Sequence, residues 1–240
     1  MAKAAMRHFS VIIPARNEMG NPFIKRALAH LGSLNFVELI IVDNNSTDGS
    51  VEYFQQFNCK IIPSNSHLRS RRLNQGIGEA QNDWILLHHP RSFIELEGLE
   101  FLKNEELPVW GAFTHAFDDD HPLLKFTSWY SNHIRGDRSG IFYLDHCLFF
   151  NKSLLSKNDK TPVPEVSIFE DTEFCIKLLK HEKPKRLPFK STTSSVRFKK
   201  NGIVYQSLLN QVLKVGYHLN FSDELMNRIY EKGLSLNSKY

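Results

Sequence analysis

The chain of 240 residues contains only three cysteines, Cys59, Cys147 and Cys175, an odd number with no paired spacing. That excludes a disulfide framework and a cysteine-rich zinc module. No window approaches the ~20 apolar residues of a membrane-spanning helix. Residues 1–10 hold no apolar stretch of signal-peptide length. These absences fit a reducing, cytoplasmic compartment. With 12 glycines and 10 prolines, the chain has too few of either for a collagen-like or low-complexity protein. An excess of one charge is also missing: 30 basic and 26 acidic residues leave a net +4. That is too mild to indicate nucleic acid, and no RNA- or DNA-binding signature accompanies it.

What is present supports a sizeable core, with 41% hydrophobic and 23% charged residues. The charge is unevenly placed. From Lys185 to Tyr240 ten basic residues stand against three acidic ones, so this stretch carries +7 and the remainder −3.

The first half alternates short apolar runs with helical patterns. Phe9 to Pro14 is a β-branched run, followed by a helix stripe at Phe23, Ala27, Leu28 and Leu31 that stops at Gly32. Val37 to Val42 is a second run, leading into Asp43-Asn44-Asn45-Ser46-Thr47-Asp48-Gly49-Ser50, a dense turn and N-cap signal, and a helix through Val51 and Phe54. Lys60 to Pro63 is a third run, residues 69–82 read as a helix, and Trp84 to Leu87 is a fourth run. Apolar runs each followed by a helix predict βαβ units around a mostly parallel sheet buried on both faces, an α/β fold. Further on, the pattern predicts strands over Val109–Phe117 and Gly140–Phe150. It predicts helices over Leu123–Ile134, 171–182, 203–219 and about 222–232. The aromatic group Phe126, Trp129 and Tyr130 is expected in the core.

Ligands of such sheets bind beyond the carboxyl ends of the strands, which directs attention to residues 14–18, 43–49 and 88–92. At the first end, Glu18 could accept from ribose hydroxyls and the main chain near Pro14 could hold a flat base. Asp43 could accept from a base N–H. Arg69, Arg71 and Arg72 could neutralise a diphosphate through forked, charge-assisted bonds. By themselves these pieces are better read as a turn, a helix start and a solvated helix face.

Their order is more specific. Val11-Ile12-Ile13-Pro14-Ala15-Arg16-Asn17-Glu18, then Ile40-Ile41-Val42-Asp43 with its Ser- and Gly-bearing turn, then the Arg-rich segment ending Asn74-Gln75-Gly76-Ile77, then a short apolar strand, resembles a family 2 glycosyltransferase of the GT-A, Rossmann-like fold. Trp110 to Phe113, Phe117-Asp118-Asp119, Gly140-Ile141-Phe142, Phe169-Glu170-Asp171 and Thr193 to Arg197 extend the likeness to a subgroup of small bacterial members. The resemblance implies one GT-A domain over 1–240, with a nucleotide-binding half at about 8–110, an acceptor half at about 111–200 and a C-terminal helical extension at about 201–240. It implies transfer of a sugar from a nucleotide-sugar donor, uridine-type favoured, to a hydroxyl acceptor with inversion. Pro14, Ala15, Arg16 and Glu18 would border the nucleoside, Asp43 would contact the base, and Arg69 and Arg71 would lie near the diphosphate. Asp171, in the Glu170-Asp171 pair, would be the catalytic base. The other reading of Asp171 is a helix N-terminal carboxylate complementing the dipole.

One departure matters. Where the family carries an Asp motif for a divalent cation, this strand runs Leu87-His88-His89-Pro90-Arg91. Proline offers neither ligand nor N–H. Three outcomes are open: a metal-free site with Arg91 or Arg71 carrying the charge, a softer cation such as Mn²⁺ on His88 or His89, or a degraded site. The last would leave a catalytically impaired member that binds a nucleotide or a partner protein. Asp118-Asp119-Asp120 reads as a solvated loop. In the basic tail, Val204, Leu208, Leu209, Val212, Val215 and Leu219 form one helical face. Burial against the core is expected for it, and peripheral contact with the inner face of a membrane is the alternative.

Overall fold

The computed structural model describes residues 7–104, 107–156 and 159–232. The end of the expected extension, 233–240, lies outside these. The first half runs β1 (Phe9–Ala15), α1 (Pro22–Leu31), β2 (Val37–Asp43), α2 (Ser50–Phe54), β3 (Cys59–Pro63), α3 (Arg69–Glu79) and β4 (Trp84–Leu87). The second half adds β5 (Ser92–Ile94), α4 (Leu96–Asn104), β6 (Trp110–Phe117), α5 (Pro122–Trp129), β7 (Leu148–Asn151) and α6 (Glu170–Leu179). It closes with β8 (Lys185–Thr193), α7 (Val196–Asn201), α8 (Ile203–His218) and α9 (Asp223–Lys232). These strands form one sheet in the order β3-β2-β1-β4-β7-β6-β8-β5.

The predicted βαβ core is present. β1 pairs in parallel with β2 and β4, and β2 with β3. Every residue of β1 is buried, as a parallel strand covered on both faces requires. One face packs Ile24, Leu28 and Leu31 of α1 against Val11 and Ile13. The other packs Leu73 and Ile77 of α3 and Phe174 and Leu178 of α6 against Ile12 and Ile40. α1 starts where Asn21 accepts the Phe23 N–H, with Pro22 next in line. Gly76 has a packing reason: a Cβ there would stand 2.4 Å from Ile12 Cγ2, so only glycine lets α3 approach β1 this closely. The register sets Ala15 opposite Asp43, which places the first two functional candidates side by side.

Three expectations change, and one strand is present that the sequence pattern did not predict. Residues 140–147 do not form a strand; only Leu148–Asn151 does. Gly140 takes φ +68° and Cys147 φ +54°. The backbone between is held by side chains of α6: Leu144 N–H donates to Asp171, and both Phe142 backbone groups engage Cys175 Sγ. A strand over Lys185–Thr193 carries no simple apolar run. It pairs parallel to β6 with a register break after Phe113 that accommodates Pro188. The C-terminal helical face is not buried. Val204, Leu208, Val212, Val215 and Leu219 are 54–63% exposed, while α8 turns Gln206, Leu213 and Gly216 inward. Phe126 and Trp129, expected in the core, are 58% and 49% exposed on α5. That helix continues into a π-helical segment, Tyr130–Arg138, and packs against α8.

Candidate functional site

At the end of β1, Glu18 is 1% exposed. Its backbone N–H donates to Ser50 Oγ at 2.8 Å, and its Oε2 accepts from Asn21 Nδ2 at 2.8 Å. Its Oε1 has no hydrogen-bond partner. Burial pushes this carboxyl up, with Arg91 opposing. Asp43, across the ladder, accepts the Ser46 N–H at 2.9 Å and the Ser46 hydroxyl. It therefore shapes its own turn and holds the start of the loop that leads to α2. Carboxylate oxygens have spare lone pairs, so this does not consume its capacity for a base N–H.

A cavity of about 290 Å³ is lined among others by Arg69, His89, Arg91, Asp145, Glu170 and Asp171. Phe169, in the left-handed region at φ +63°, turns the chain into α6. This brings the Glu170-Asp171 pair to the cavity wall. Such strain in a non-glycine residue persists where the surroundings impose it; here the Phe169 ring packs on Tyr217 at 5.0 Å. Asp171 Oδ2 accepts the Leu144 N–H at 2.9 Å and Oδ1 the Thr172 N–H at 2.8 Å. Burial, with the Glu170 charge adding to it, pushes its carboxyl up to about 6 against the pull of Arg69. Arg69 Nε donates to Glu170, and its Nη2 lies 3.7 Å from Asp171 Oδ2.

The candidates therefore divide into two groups. Pro14, Ala15, Arg16, Glu18 and Asp43 cluster at the ends of β1 and β2. Arg69, Glu170 and Asp171 meet in the cavity. Arg71 joins neither: it is exposed and its Nε donates to Glu165 at 2.7 Å. The structure places the third arginine of the motif in the interior and adds Asp145 and Lys214, which the sequence pattern did not single out. Arg72 is fully buried. Its Nη1 donates to Ala15 O at 3.3 Å, while Nε and Nη2 find no hydrogen-bond partner. Asp145, inside the supposed strand, lines the cavity with Oδ1 unpartnered and Oδ2 3.5 Å from His115 Nε2. Its carbonyl is pinned by the hydroxyl of Ser191 at 2.7 Å. Lys214 reaches the same cavity from α8, its ammonium pulled down to about 8 by burial and by Arg135.

Residues 10–89 match the family model "Glycosyl transferase family 2". The match covers a third of the chain, and the fold around it is GT-A. Among solved structures, S. aureus TarS 1–349 in complex with UDP-GlcNAc superposes with a TM-score of 0.59 at 19% identity, over 78% of this chain and 58% of that one. The mannosyltransferase PcManGT from Pyrobaculum calidifontis, in complex with GDP-Man and Mn²⁺, gives 0.58 at 13% identity, over 96% and 75%. Glucosyl-3-phosphoglycerate synthase from Mycobacterium tuberculosis, with Mn²⁺, UDP and glucosyl-3-phosphoglycerate, gives 0.56 at 13%, over 77% and 70%. The chain thus spans 58–69% of the TarS 1–349 fragment, and 44% of a longer TarS chain. No curated protein matches the sequence.

Two of those proteins hold Mn²⁺, and the residues of this chain at the end of β4 differ in kind. His88 is 1% exposed with its Nδ1 closed off. His89 Nδ1 accepts the Arg91 N–H at 3.2 Å, and the Pro90 carbonyl accepts Asn21 Nδ2 at 2.9 Å. Burial, then Arg69, Arg91 and Arg197, hold the His89 pKa well below its ordinary value. Among the described residues no group of three or more His, Cys, Asp or Glu side chains could hold a metal ion. A neutral histidine among guanidiniums does not suit a hard divalent cation, which prefers carboxylate oxygen.

Proposed function

We propose that this chain transfers a sugar from a nucleoside-diphosphate donor to a hydroxyl acceptor, with inversion and with Asp171 as the base. The observation that carries this reading is a buried carboxylate, raised to about 6, on the wall of a cavity also lined by Arg69 at the start of α3 and by His89 and Arg91 just after β4. A base must be ionised near neutrality yet basic enough to take a proton in the transition state, and a carboxyl raised by burial meets both needs. The Leu144 N–H orients Oδ2. The acceptor oxygen loses its proton to Asp171 and forms its bond to the anomeric carbon as the bond from that carbon to the diphosphate breaks. The nucleoside diphosphate leaves with the electron pair. The unpartnered Oδ1 of Asp145 supports a second role, accepting a hydrogen bond from a sugar hydroxyl. Glu18 and Asp43 serve the ribose and base. A uridine nucleotide is the preferred donor type, in keeping with the UDP and UDP-GlcNAc complexes of TarS.

The exposed face of α8 supports a place for this reaction at an anionic membrane surface. Residues 196–221 contain Arg197, Lys199, Lys200 and Lys214 and no acidic residue. The outer face of α8 is apolar while Asn210, Leu213 and Lys214 line the cavity. A helix lying in the interface with its apolar side down would bring that cavity to a lipid-borne hydroxyl. No described helix is long and apolar enough to cross the membrane.

The test is release of nucleoside diphosphate from UDP-GlcNAc, UDP-glucose and GDP-mannose, together with calorimetric binding of UDP and GDP. Turnover of one donor that falls at least a hundredfold in Asp171→Asn, with donor binding kept, is expected. Equal turnover by both proteins removes Asp171 as base. Binding without turnover establishes the impaired-member alternative, and no binding of any nucleotide rejects the donor site.

A further inference from the structure

We infer that Arg91 and Arg197, backed by the buried charge of Arg72, hold the donor diphosphate in place of a divalent cation. This rests on the reading of the site as a nucleotide-sugar site. A diphosphate joins nucleoside to sugar, so it must cross from the Glu18–Asp43 edge into the cavity that holds Asp171. Two guanidiniums act on both sides of that crossing. Arg91 opposes the upward shift of Glu18 on the nucleoside side and bears on His89 on the cavity side. Arg72 lies within the fields of Arg16 and Asp43 on one side and of Arg69 and Glu170 on the other.

The backbone draws the parts together. Ser194 N–H donates to the Arg91 carbonyl at 3.0 Å, which ties the loop after β4 to the entry of α7, where Arg197 stands in the first turn. Arg197 and Arg91 both line the cavity, and the Arg197 guanidinium lies 5.1 Å from the Tyr230 ring centroid, which orders it. Arg69 is committed to Glu170 and Asp171, and Arg71 to Glu165 outside the cavity.

Charge supports the same assignment. Each phosphoryl group of a nucleotide-sugar carries one negative charge, and two guanidiniums match them while offering forked donors to the oxygens. When the sugar leaves, the departing diphosphate gains further negative charge. Arg72 is completely buried, with two nitrogens lacking partners and its pKa pulled down to about 10 by burial, Arg69 and Arg16. Such a desolvated cation among like charges is unfavourable until an anion arrives. Pro90 completes the exchange, since the position that would carry the metal-binding aspartate has no ligand and instead anchors the loop through its carbonyl.

Isothermal titration of the full chain with UDP and GDP, in EDTA and in millimolar Mg²⁺ or Mn²⁺, tests this. The expected result is a Kd in EDTA within about twofold of that with metal, and a Kd at least tenfold weaker for Arg91→Gln and Arg197→Gln at unchanged thermal midpoint. Arg91→Lys, which keeps the charge but loses the fork, should fall between wild type and Arg91→Gln. Binding that vanishes in EDTA, or that Mn²⁺ tightens more than tenfold, overturns the arginine assignment and leaves the nucleotide site standing. Variants that bind as tightly as wild type also overturn it. Absence of binding in every condition rejects the nucleotide-sugar reading on which it rests.

Discussion

Asn74 and Val163 exchange two hydrogen bonds: Asn74 Nδ2 donates to Val163 O at 2.8 Å, and Val163 N–H donates to Asn74 Oδ1 at 2.9 Å. The Asn of the Asn74-Gln75-Gly76 motif therefore does a positioning task. It pins the loop that leads to Glu170-Asp171 against α3. Asn74→Ala leaves both Val163 groups buried without partners and should lower stability by about 2 kcal/mol. Urea denaturation measures this; a change below about 0.5 kcal/mol would show that the loop is held elsewhere.

Asp171 predicts the pH dependence of transfer. The base must be deprotonated, so kcat/KM should rise with pH through about 6, the value set by burial and Glu170. Glu170→Gln removes the neighbouring negative charge, which should move that limb to lower pH. Initial rates from pH 4.5 to 8 decide it, and a limb that stays in place in the variant separates the two carboxylates.

Two buried histidines predict acid sensitivity. Burial holds His88 and His146 down at about 4, from an ordinary 6.5. Between those values the unfolded chain binds more protons, so their contribution to stability is complete above 6.5 and is lost as pH falls toward 4. Asp171, raised from 3.8 to about 6, has the opposite sign over most of that window. His89 and His115 are lowered in the same sense and Glu18 is raised like Asp171, so with four histidines against two carboxyls the urea midpoint should decrease between pH 7 and pH 4.5. A constant midpoint would contradict the buried neutral histidines.

The outer face of α8 predicts membrane binding. The protein should float with vesicles containing about one third anionic lipid and stay in solution with neutral ones. Leu208→Glu combined with Val212→Glu should abolish flotation and leave the thermal midpoint within about 2 °C, because both positions are exposed. Equal flotation of the double variant would rule this face out.

The first four strands and their helices were legible in the amino-acid order because a parallel strand covered on both faces is a continuous apolar run, as β1 and β2 are. β8 was not. Its buried residues, Leu187, Ser191 and Thr193, are spread among polar ones and interrupted by Pro188, so its existence depends on β5 and β6 being there to pair with. Residues 140–147 had strand-like composition, but α6 side chains claimed their backbone groups.

The sequence by itself determined the α/β fold class, the match of residues 10–89 to a glycosyltransferase family model and the short-range motifs around Glu18, Asp43 and Asp171. Each of these is set by neighbours within a few positions of the chain. The tertiary structure alone decided that Arg69 turns to the carboxylate pair while Arg71 stays at the surface. It also decided that Asp145 faces the cavity, that Arg91 and Arg197 converge from segments about a hundred residues apart, and that α8 turns its apolar side outward. Those outcomes depend on which charges share a desolvated space and which faces find a partner, and Coulomb energy and burial are functions of distance in space, not of order along the chain.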